Sequence, residues 1–288
     1  MKPGCYPVDF TRATGEDFSA YRFDASGVPL VRSVETGDWS ANPVTVCQYG
    51  LHQYNRFVRQ NDDVARETFL KQAKWLVDHA EPGPNGSKVW PYTSPLKFYD
   101  ISAPWISGMA QGEALSVLLR AHALSGDSRY HNTAQAAWKA LILPTEDGGV
   151  VSQFPDGSPL IEEYPKAGSV TGVINGFMFA LLGVLEYASV TGDEEAVAWS
   201  HSLVSGLRHN LHRYDTGFWS VYDLFLPRRL ASFSYHRLHI AQLEALFRLT
   251  GETVFQAVAE QWRVYLASPL CRLRWTLHKV HQKLVLQI

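Results

Sequence analysis

An internal repeat constrains the fold of this 288-residue sequence more than any other feature. Four turn segments interrupt long helical patterns, and corresponding positions in them are 65, 66 and 59 residues apart. Each turn supplies a residue that tolerates left-handed backbone, followed by an acid suited to the first turn of the next helix. The turns are Gln60–Asp62, Ser125–Asp127, Thr191–Asp193 and Thr250–Glu252. The repeat predicts four helical hairpins, over residues 46–80, 108–143, 174–212 and 236–268.

The hairpins predict an all-α fold class, an incomplete α/α toroid, because each hairpin is amphipathic and they follow one another at a fixed period. The first helix of each hairpin would line the inside, and the second would lie outside. Residues 1–45 are rich in Gly, Pro, Ser, Thr and Asp and predict a short irregular lead, with a β-hairpin over residues 21–31. The toroid domain would span residues 46–269, and a basic amphipathic helix would occupy residues 270–288.

Polar side chains recur at one place in the repeat, near the start of each first helix and on its apolar stripe. They are Gln48, Gln111, Asn175 and His239, at spacings of 63, 64 and 64 residues. A polar group on a buried stripe must find a hydrogen-bond partner. Two interpretations stay open: these groups bond to the protein around the toroid axis, or they form a ring that binds ligand oxygens.

The connections between hairpins are long and carry many aromatic and acidic residues. They span residues 81–107, 144–173 and 213–235, and include Trp105 and the segment Glu162-Glu163-Tyr164-Pro165. Loops of this length are uncommon unless they are functional. Because all three lead into first helices, we expect them to gather at the same mouth of the toroid as the polar ring. Their composition is typical of a carbohydrate-binding cleft.

Composition excludes several classes of function. A net charge of −2 and a pI near 6.6 argue against a nucleic-acid partner. Three cysteines lie far apart without metal-ligand spacing, and no phosphate-binding or metal-hydrolase motif occurs, so no metal is expected. The start of the chain lacks the apolar stretch of a signal peptide, and no apolar run reaches the ~18 residues of a membrane span. A cytoplasmic location is expected.

The tail carries basic residues among apolar ones. The basic residues are Arg272, Arg274, Lys279 and Lys283. Such a helix could lie on an anionic membrane surface or bind a polyanion. It could also pack on the toroid or pair with a second copy in a homodimer, and these interpretations stay open.

Seven motifs, in order and correctly spaced, resemble the D-glucuronyl C5-epimerases over roughly residues 40–268. They are Asn42-Pro43-Val44-Thr45 with Gln48-Tyr49-Gly50-Leu51, Met109-Ala110-Gln111-Gly112, Glu162-Glu163-Tyr164-Pro165, Asn175-Gly176-Phe177-Met178, Leu211 with Tyr214-Asp215-Thr216-Gly217, Tyr222-Asp223-Leu224, and Tyr235-His236 with His239-Ile240. The resemblance implies an isomerase that inverts C5 of glucuronate within a polysaccharide such as the heparan sulfate precursor heparosan, giving iduronate. It also implies a helical toroid, no organic cofactor and a homodimer.

The resemblance also implies roles for individual residues. The tyrosines implicated in catalysis fall on Tyr164, Tyr222 and Tyr235, and the acid before the first of them is Glu163. Animal members of the family have an arginine after Tyr-Asp-Leu that is implicated in substrate binding. This chain has Phe225 there.

Three nearby arginines could replace the missing cation. They are Arg228, Arg229 and Arg237.

Epimerisation at C5 requires two acid/base groups, one on each side of the sugar ring. A tyrosine, with an ordinary pKa of about 10, is a good proton donor near neutral pH, whereas a glutamate is the easier base. We therefore expect Glu163 with Tyr164 on one face and Tyr235 on the other, with Tyr222 bonding the substrate carboxylate or relaying a proton. The predicted substrate-binding residues are Gln48, Trp105, Gln111, Asn175, Asp223, Arg237 and His239.

Competing functions remain open at the level of sequence. A polysaccharide lyase begins with the same proton abstraction but then expels the substituent at C4. A glycoside hydrolase needs two carboxylates, for which Glu163 with Asp223 or Asp215 could serve. A non-catalytic module that binds uronate-containing glycans would be consistent with Phe225 in place of arginine.

Overall fold

A computed structural model describes residues 4–33, 37–282 and 284. The helices of this described part are α1 (Phe10–Thr14), α2 (Pro43–Gln60), α3 (Asp63–Asp78), α4 (Gly108–Ser125), α5 (Ser128–Trp138), α6 (Ile174–Thr191), α7 (Glu194–Asn210), α8 (Phe233–Thr250), α9 (Thr253–Ala267) and α10 (Pro269–His281). The strands are β1 (Arg22–Phe23), β2 (Pro29–Arg32), β3 (Trp39–Ala41), β4 (Glu81–Pro82), β5 (Lys88–Val89), β6 (Val151–Gln153) and β7 (Pro159–Ile161). Lys283 and residues 285–288 of the predicted tail lie outside the described residues.

The four predicted hairpins are confirmed, and each turns at a residue with left-handed backbone. These residues, with φ of 52°, 74°, 68° and 73°, are Asn61, Gly126, Gly192 and Gly251. The acids that follow begin the second helices: the side chains of Asp62, Asp127 and Asp193 each accept a hydrogen bond from a backbone N–H of the first turn. Local turn chemistry therefore sets the hairpin register.

Two first helices begin earlier than the hydrophobic pattern predicts. Helix α2 begins at Pro43, because the Asn42 side chain caps Thr45 N at 3.3 Å and proline is favoured in the first turn. Helix α8 begins at Phe233, because Ser232 Oγ accepts a hydrogen bond from Tyr235 N at 3.2 Å. In both cases the capping residue, rather than the first apolar position, defines the start.

The first helices form the inner layer of an incomplete α/α toroid, which confirms the predicted fold class. Helix α4 contacts α2 and α6, and α6 contacts α8, while each second helix packs on its own first helix. Helices α4 and α6 are buried along most of their length. They cross closely at glycine: a Cβ on Gly183 would lie 2.0 Å from Gly112 O.

The N-terminal segment joins the first hairpin to the last. The backbone N–H of Tyr6 donates to Asn55 Oδ1 of α2 at 2.7 Å, and Arg248 Nη2 of α8 donates to Pro7 O at 3.0 Å. Helix α1 packs against α8, and its Phe10 ring contacts Phe179 of α6. Residues that the sequence predicts to be an irregular lead therefore bridge the two ends of the ring.

The predicted N-terminal β-hairpin is present with one additional strand. Strands β1 and β2 are antiparallel, with Arg22 opposite Leu30. Strand β3 pairs with the other edge of β2, where Val31 lies opposite Ser40. The segment therefore enters α2 directly from a three-stranded sheet.

Helix α6 corrects one expectation from the sequence. Over Ile174–Thr191 it has the length and the hydropathy, a mean of 1.4, that a membrane-crossing helix would need. Of this span, 72% is buried inside the fold, which is also typical of a central core helix. The sequence led us to expect no stretch long and apolar enough to span a membrane. By length and composition alone, that expectation was wrong.

Helix α10 folds back onto the toroid. Trp275 Nε1 donates to Ala231 O at 2.8 Å, and the Trp275 ring packs edge-on against Phe233 at 4.5 Å between centroids. Packing of this helix on the toroid, one of the interpretations left open by the sequence, is therefore observed. Contact of this helix with a membrane surface or a second copy stays a prediction.

Candidate active site

Two adjoining cavities open where the three long connections gather. The first has a volume of about 670 Å³ and the second about 410 Å³. Leu96, Tyr164 and Tyr235 line both, so the two cavities meet at these side chains. The prediction that the connections come together at one mouth is thus confirmed.

The two neighbouring carboxylates of the central loop have opposite environments. They follow strand β7, where successive side chains point to opposite sides. Glu162 is completely buried and accepts hydrogen bonds from Ser152 Oγ at 2.6 Å, Thr171 N at 3.1 Å and Gly172 N at 2.8 Å. It therefore fixes the shape of the loop that follows it.

Glu163 is 6% exposed and lines the first cavity. Asn175 Nδ2, at the start of α6, donates a hydrogen bond to Glu163 Oε2 at 3.3 Å. Burial raises the pKa of Glu163 to about 7, although hydrogen bonding to Tyr164 and Asn175 favours the charged form. Such a carboxyl group can exchange protons close to neutral pH.

Glycine at position 176 makes room for this carboxylate. A Cβ built on Gly176 would lie 2.4 Å from both Cβ and Oε2 of Glu163. The Asn-Gly pair that opens α6 therefore supplies a hydrogen bond to Glu163 and the space that it occupies.

The three predicted tyrosines lie together. The Tyr222 and Tyr235 rings are 4.9 Å apart at 70°, and hydrogen bonding links Tyr222 to both Tyr164 and Tyr235. Burial and then the charge of Glu163 raise the pKa of Tyr164 and Tyr222 well above the usual range, and that of Tyr235 to about 12. All three phenols hold their protons at neutral pH, so they can act as donors.

A cation lies next to the phenols. It is the guanidinium of Arg229, not a side chain at position 225, where animal members of the family have their arginine. Phe225 packs against the Phe98 and Tyr99 rings, at 5.9 and 5.3 Å between centroids. The Arg229 guanidinium lies 5.1 Å from the centroid of the Tyr222 ring and lines the second cavity. Of the three candidate arginines, Arg229 is therefore the one at the site.

Asp223 holds Arg229 in place. It is completely buried and accepts hydrogen bonds from Tyr99 Oη and Arg229 Nε, both at 2.9 Å. Arg229 Nη2 bonds to Asp223 and to Tyr99 Oη. Asp223 lines neither cavity, so its observed contacts are with the protein.

Three other predicted binding residues line the first cavity. Trp105 stacks on Tyr92 at 4.2 Å between ring centroids and lies edge-on to Tyr164 at 5.6 Å. Gln48 Nε2 donates to Glu113 Oε1 at 3.1 Å. Asn175 is the third, and it faces Glu163. A flat aromatic wall and several amides are suited to binding the faces and hydroxyls of sugars.

The remaining predicted binding residues line neither cavity. Gln111 Nε2 donates to Lys88 O at 3.0 Å, and His239 Nδ1 is 2.9 Å from Ser220 Oγ, so both face protein groups. Burial lowers the pKa of His239 well below its usual range, which keeps it neutral. Arg237 is exposed and lies close to Gly15. Of the four residues of the polar ring, Gln48 and Asn175 therefore line the first cavity, whereas Gln111 and His239 bond to other protein groups.

Two residues of the site lie outside the predicted set. Glu113 is a fully buried carboxyl whose pKa burial raises well above its usual range, and the charge of Glu163 raises it further. An acid two positions after Gln111, near the start of an inner helix, is the signal that could have identified it. Tyr99 carries no such signal, because its role depends on contacts with residues 223 and 229, far along the chain. Within the described residues, no group of three or more His, Cys, Asp or Glu could hold a metal ion.

Comparison with solved structures shows the fold alone. The chain superposes on the unsaturated glucuronyl hydrolase of Bacillus sp. GL1 with a TM-score of 0.53 at 17% identity, covering 77% of this chain and 61% of that one. A family 76 glycoside hydrolase from a bovine Bacteroides thetaiotaomicron strain gives a TM-score of 0.52 at 12% identity, covering 91% and 56%.

Sequence comparison is more specific. The chain is 29% identical to the D-glucuronyl C5-epimerase of Caenorhabditis elegans in an alignment of 228 positions that covers 72% of this chain and 36% of the worm protein. It is 29% identical over 177 residues to an uncharacterised protein of Methanocaldococcus jannaschii, in an alignment that covers 61% of this chain and 57% of that protein. The chain thus spans about a third to just over half of these relatives. The family described as "D-glucuronyl C5-epimerase C-terminus" matches residues 85–264, well over half of the sequence. This chain belongs to the D-glucuronyl C5-epimerase family.

Proposed function

We propose that the protein is a C5-epimerase of glucuronate units in a polysaccharide, converting D-glucuronate to L-iduronate by proton transfer on both faces of the ring. The observation that carries the proposal is the pairing of Glu163, with a pKa of about 7, and a group of protonated phenols around one cavity. A base and a donor that share a site are what the reaction requires.

In the proposed reaction one group removes the C5 proton, and the electron pair of the broken C–H bond moves into the carboxylate to give an enediolate. A second group returns a proton to C5 from the opposite face. Glu163 with Tyr164 serves one face and Tyr235 the other. Because the chemistry adds negative charge to the carboxylate, a nearby cation stabilises the intermediate, and Arg229 is placed to supply it.

Two of the three alternatives fit the site less well. A hydrolase would need a second free carboxylate beside Glu163. Asp223 is buried in its bonds to Arg229 and Tyr99, and Asp215 lines neither cavity. Phe225 no longer favours a non-catalytic binding module, because Arg229 stands in the same loop and faces the second cavity. A lyase shares the first proton abstraction, so only the product distinguishes it.

Incubation with non-sulfated glucuronate polymers in deuterated water, followed by NMR, tests the proposal. We expect deuterium at C5 together with new iduronate signals. An unsaturated, ultraviolet-absorbing end would identify a lyase, and new reducing ends without C5 deuterium would identify a hydrolase. Binding without any exchange would leave only the non-catalytic function. Each of these three outcomes would overturn the proposal.

A further inference from the structure

The two cavities differ in charge. Among the described residues that line the second cavity, the charged ones are Lys97, Arg229 and Lys279, and none is a carboxylate. The charged residues described around the first cavity are Glu16, Glu81 and Glu163, with no lysine or arginine. A uronate carboxylate is therefore attracted to the second cavity and repelled by the first.

Lys279 comes from α10, which begins after the last residue matched by the family, position 264. Trp275, Lys279 and Gln282 are spaced i, i+4 and i+7, so they share one face of the helix. Trp275 Nε1 bonds to Ala231 O at 2.8 Å, and Gln282 Nε2 bonds to Arg228 O at 3.0 Å. These two contacts, on either side of Lys279, fix that face against the segment that carries Arg229.

Part of the charge in the second cavity is not neutralised by the protein. Asp223 pairs with Arg229 through Nε and Nη2, which leaves Arg229 Nη1 without a hydrogen bond to any described residue. Lys279 forms no ion pair within the described chain. Lys279 and Arg229 both line the second cavity. Burial and then the charge of Arg229 lower the pKa of Lys279, while the charge of Asp223 raises it. Two cations that line one cavity, with Asp223 as the anion paired to one of them, form a site suited to a carboxylate.

We propose that Lys279 of α10 is a substrate-binding residue, which together with Arg229 binds the carboxylate of a uronate unit in the second cavity. The inference rests on the proposed function for the identity of the ligand. It gives the C-terminal helix, which lies beyond the matched family region, a direct part in recognition of the substrate.

The test measures equilibrium binding of a non-sulfated glucuronate oligosaccharide and of the same oligosaccharide with its carboxylates reduced to alcohols. In Lys279→Gln we expect affinity for the first ligand to fall about tenfold, the size of one lost charge-assisted hydrogen bond. Affinity for the reduced ligand should not change. Lys279→Arg should restore most of the loss, because it returns the charge.

Arg272→Gln is the matched control, since it removes the same charge from the same helix and Arg272 lines neither cavity. Unchanged affinity in Lys279→Gln, an equal loss for both ligands, or an equal loss in Arg272→Gln would each overturn the inference. Binding affinity and C5 exchange are measured in separate experiments, so the two proposals can fail independently. A chain that binds through Lys279 but shows no C5 exchange would overturn the proposed function and leave this inference standing.

Discussion

Glu162 and Glu163 show how the surroundings of a residue determine its role. Both side chains are buried, but Glu162 accepts hydrogen bonds from two backbone N–H groups and two hydroxyls, which hold it in the loop. Glu163 has one amide partner, faces a cavity, and has its pKa raised by burial to about 7. The first is suited to structure, and the second to proton transfer.

The pH dependence of C5 exchange should follow the ionisation of Glu163. A base works only when deprotonated, so the rate should rise about tenfold per pH unit below pH 7 and level off above it. A fall at alkaline pH is not expected until the phenols ionise, for Tyr235 near pH 12. Initial rates of deuterium incorporation between pH 5 and about 9 measure this profile.

Asn175→Ala provides the matched variant for this profile. It removes a hydrogen bond that favours the charged form of Glu163, so the pKa should rise and the acid limb should move to higher pH. An unchanged or lower midpoint would show that Glu163 is not the group that titrates.

At the scale of secondary structure, the start of α6 is shaped around the site. Helix α6 makes two close approaches through glycine, at Gly176 against Glu163 and at Gly183 against Gly112 of α4. The first concerns the candidate base, and the second only the contact between two inner helices. Substitutions at Gly176 and Gly183 can therefore distinguish an effect on the candidate base from an effect on helix packing.

Gly176→Ala and Gly183→Ala should both lower the free energy of unfolding, by about 1–3 kcal/mol, because each added Cβ overlaps a neighbour. Only Gly176→Ala should also slow C5 exchange, since its Cβ would displace Glu163. Urea unfolding and exchange rates, measured where both variants are folded, give the two quantities. Equal exchange rates in the two variants would show that the position of Glu163 does not matter.

At the scale of the whole molecule, the N-terminal segment connects the ends of the ring. Asn55 of α2 bonds to both Tyr6 N, at 2.7 Å, and Tyr6 O, at 3.1 Å, and all these groups are buried. Helix α10 packs on the toroid at Ala231 and Phe233 and exposes Leu270, Leu273, Leu277 and Val280. The N-terminal segment and α10 thus both pack on the helical toroid.

Asn55→Ala should destabilise the protein by about 2–3 kcal/mol, because it leaves the buried N–H and C=O of Tyr6 without partners. Arg59→Ala removes the more exposed ion pair with Asp9, which joins the same two segments at 2.7 Å, and should cost less than about 1 kcal/mol. Chemical denaturation of both variants measures the difference. A similar loss in each would contradict the structural importance of the buried contact.

The sequence predicts the helical hairpins well because their signals are local. Left-handed residues and capping acids act within a few positions, as at Asn61 and Asp62. The site depends on contacts between distant segments, which periodicity does not report. Gln111 has the expected position on the repeat, but its side chain bonds to Lys88 O in strand β5, which the repeat does not describe. Arg229 and Lys279 line the same cavity for a similar reason, since α10 folds back on the connection over residues 213–235.

The most direct test of the central claim, proton transfer on two faces, is the inversion rate of Tyr235→Phe on a glucuronate polymer in deuterated water. The variant keeps the ring but has no phenolic proton. Formation of deuterated iduronate should fall by about 10²-fold or more. Tyr265→Phe, a tyrosine of α9 that lines neither cavity, should invert at the wild-type rate. Inversion by Tyr235→Phe at the wild-type rate would show that the Tyr235 phenol does not transfer the proton on the second face.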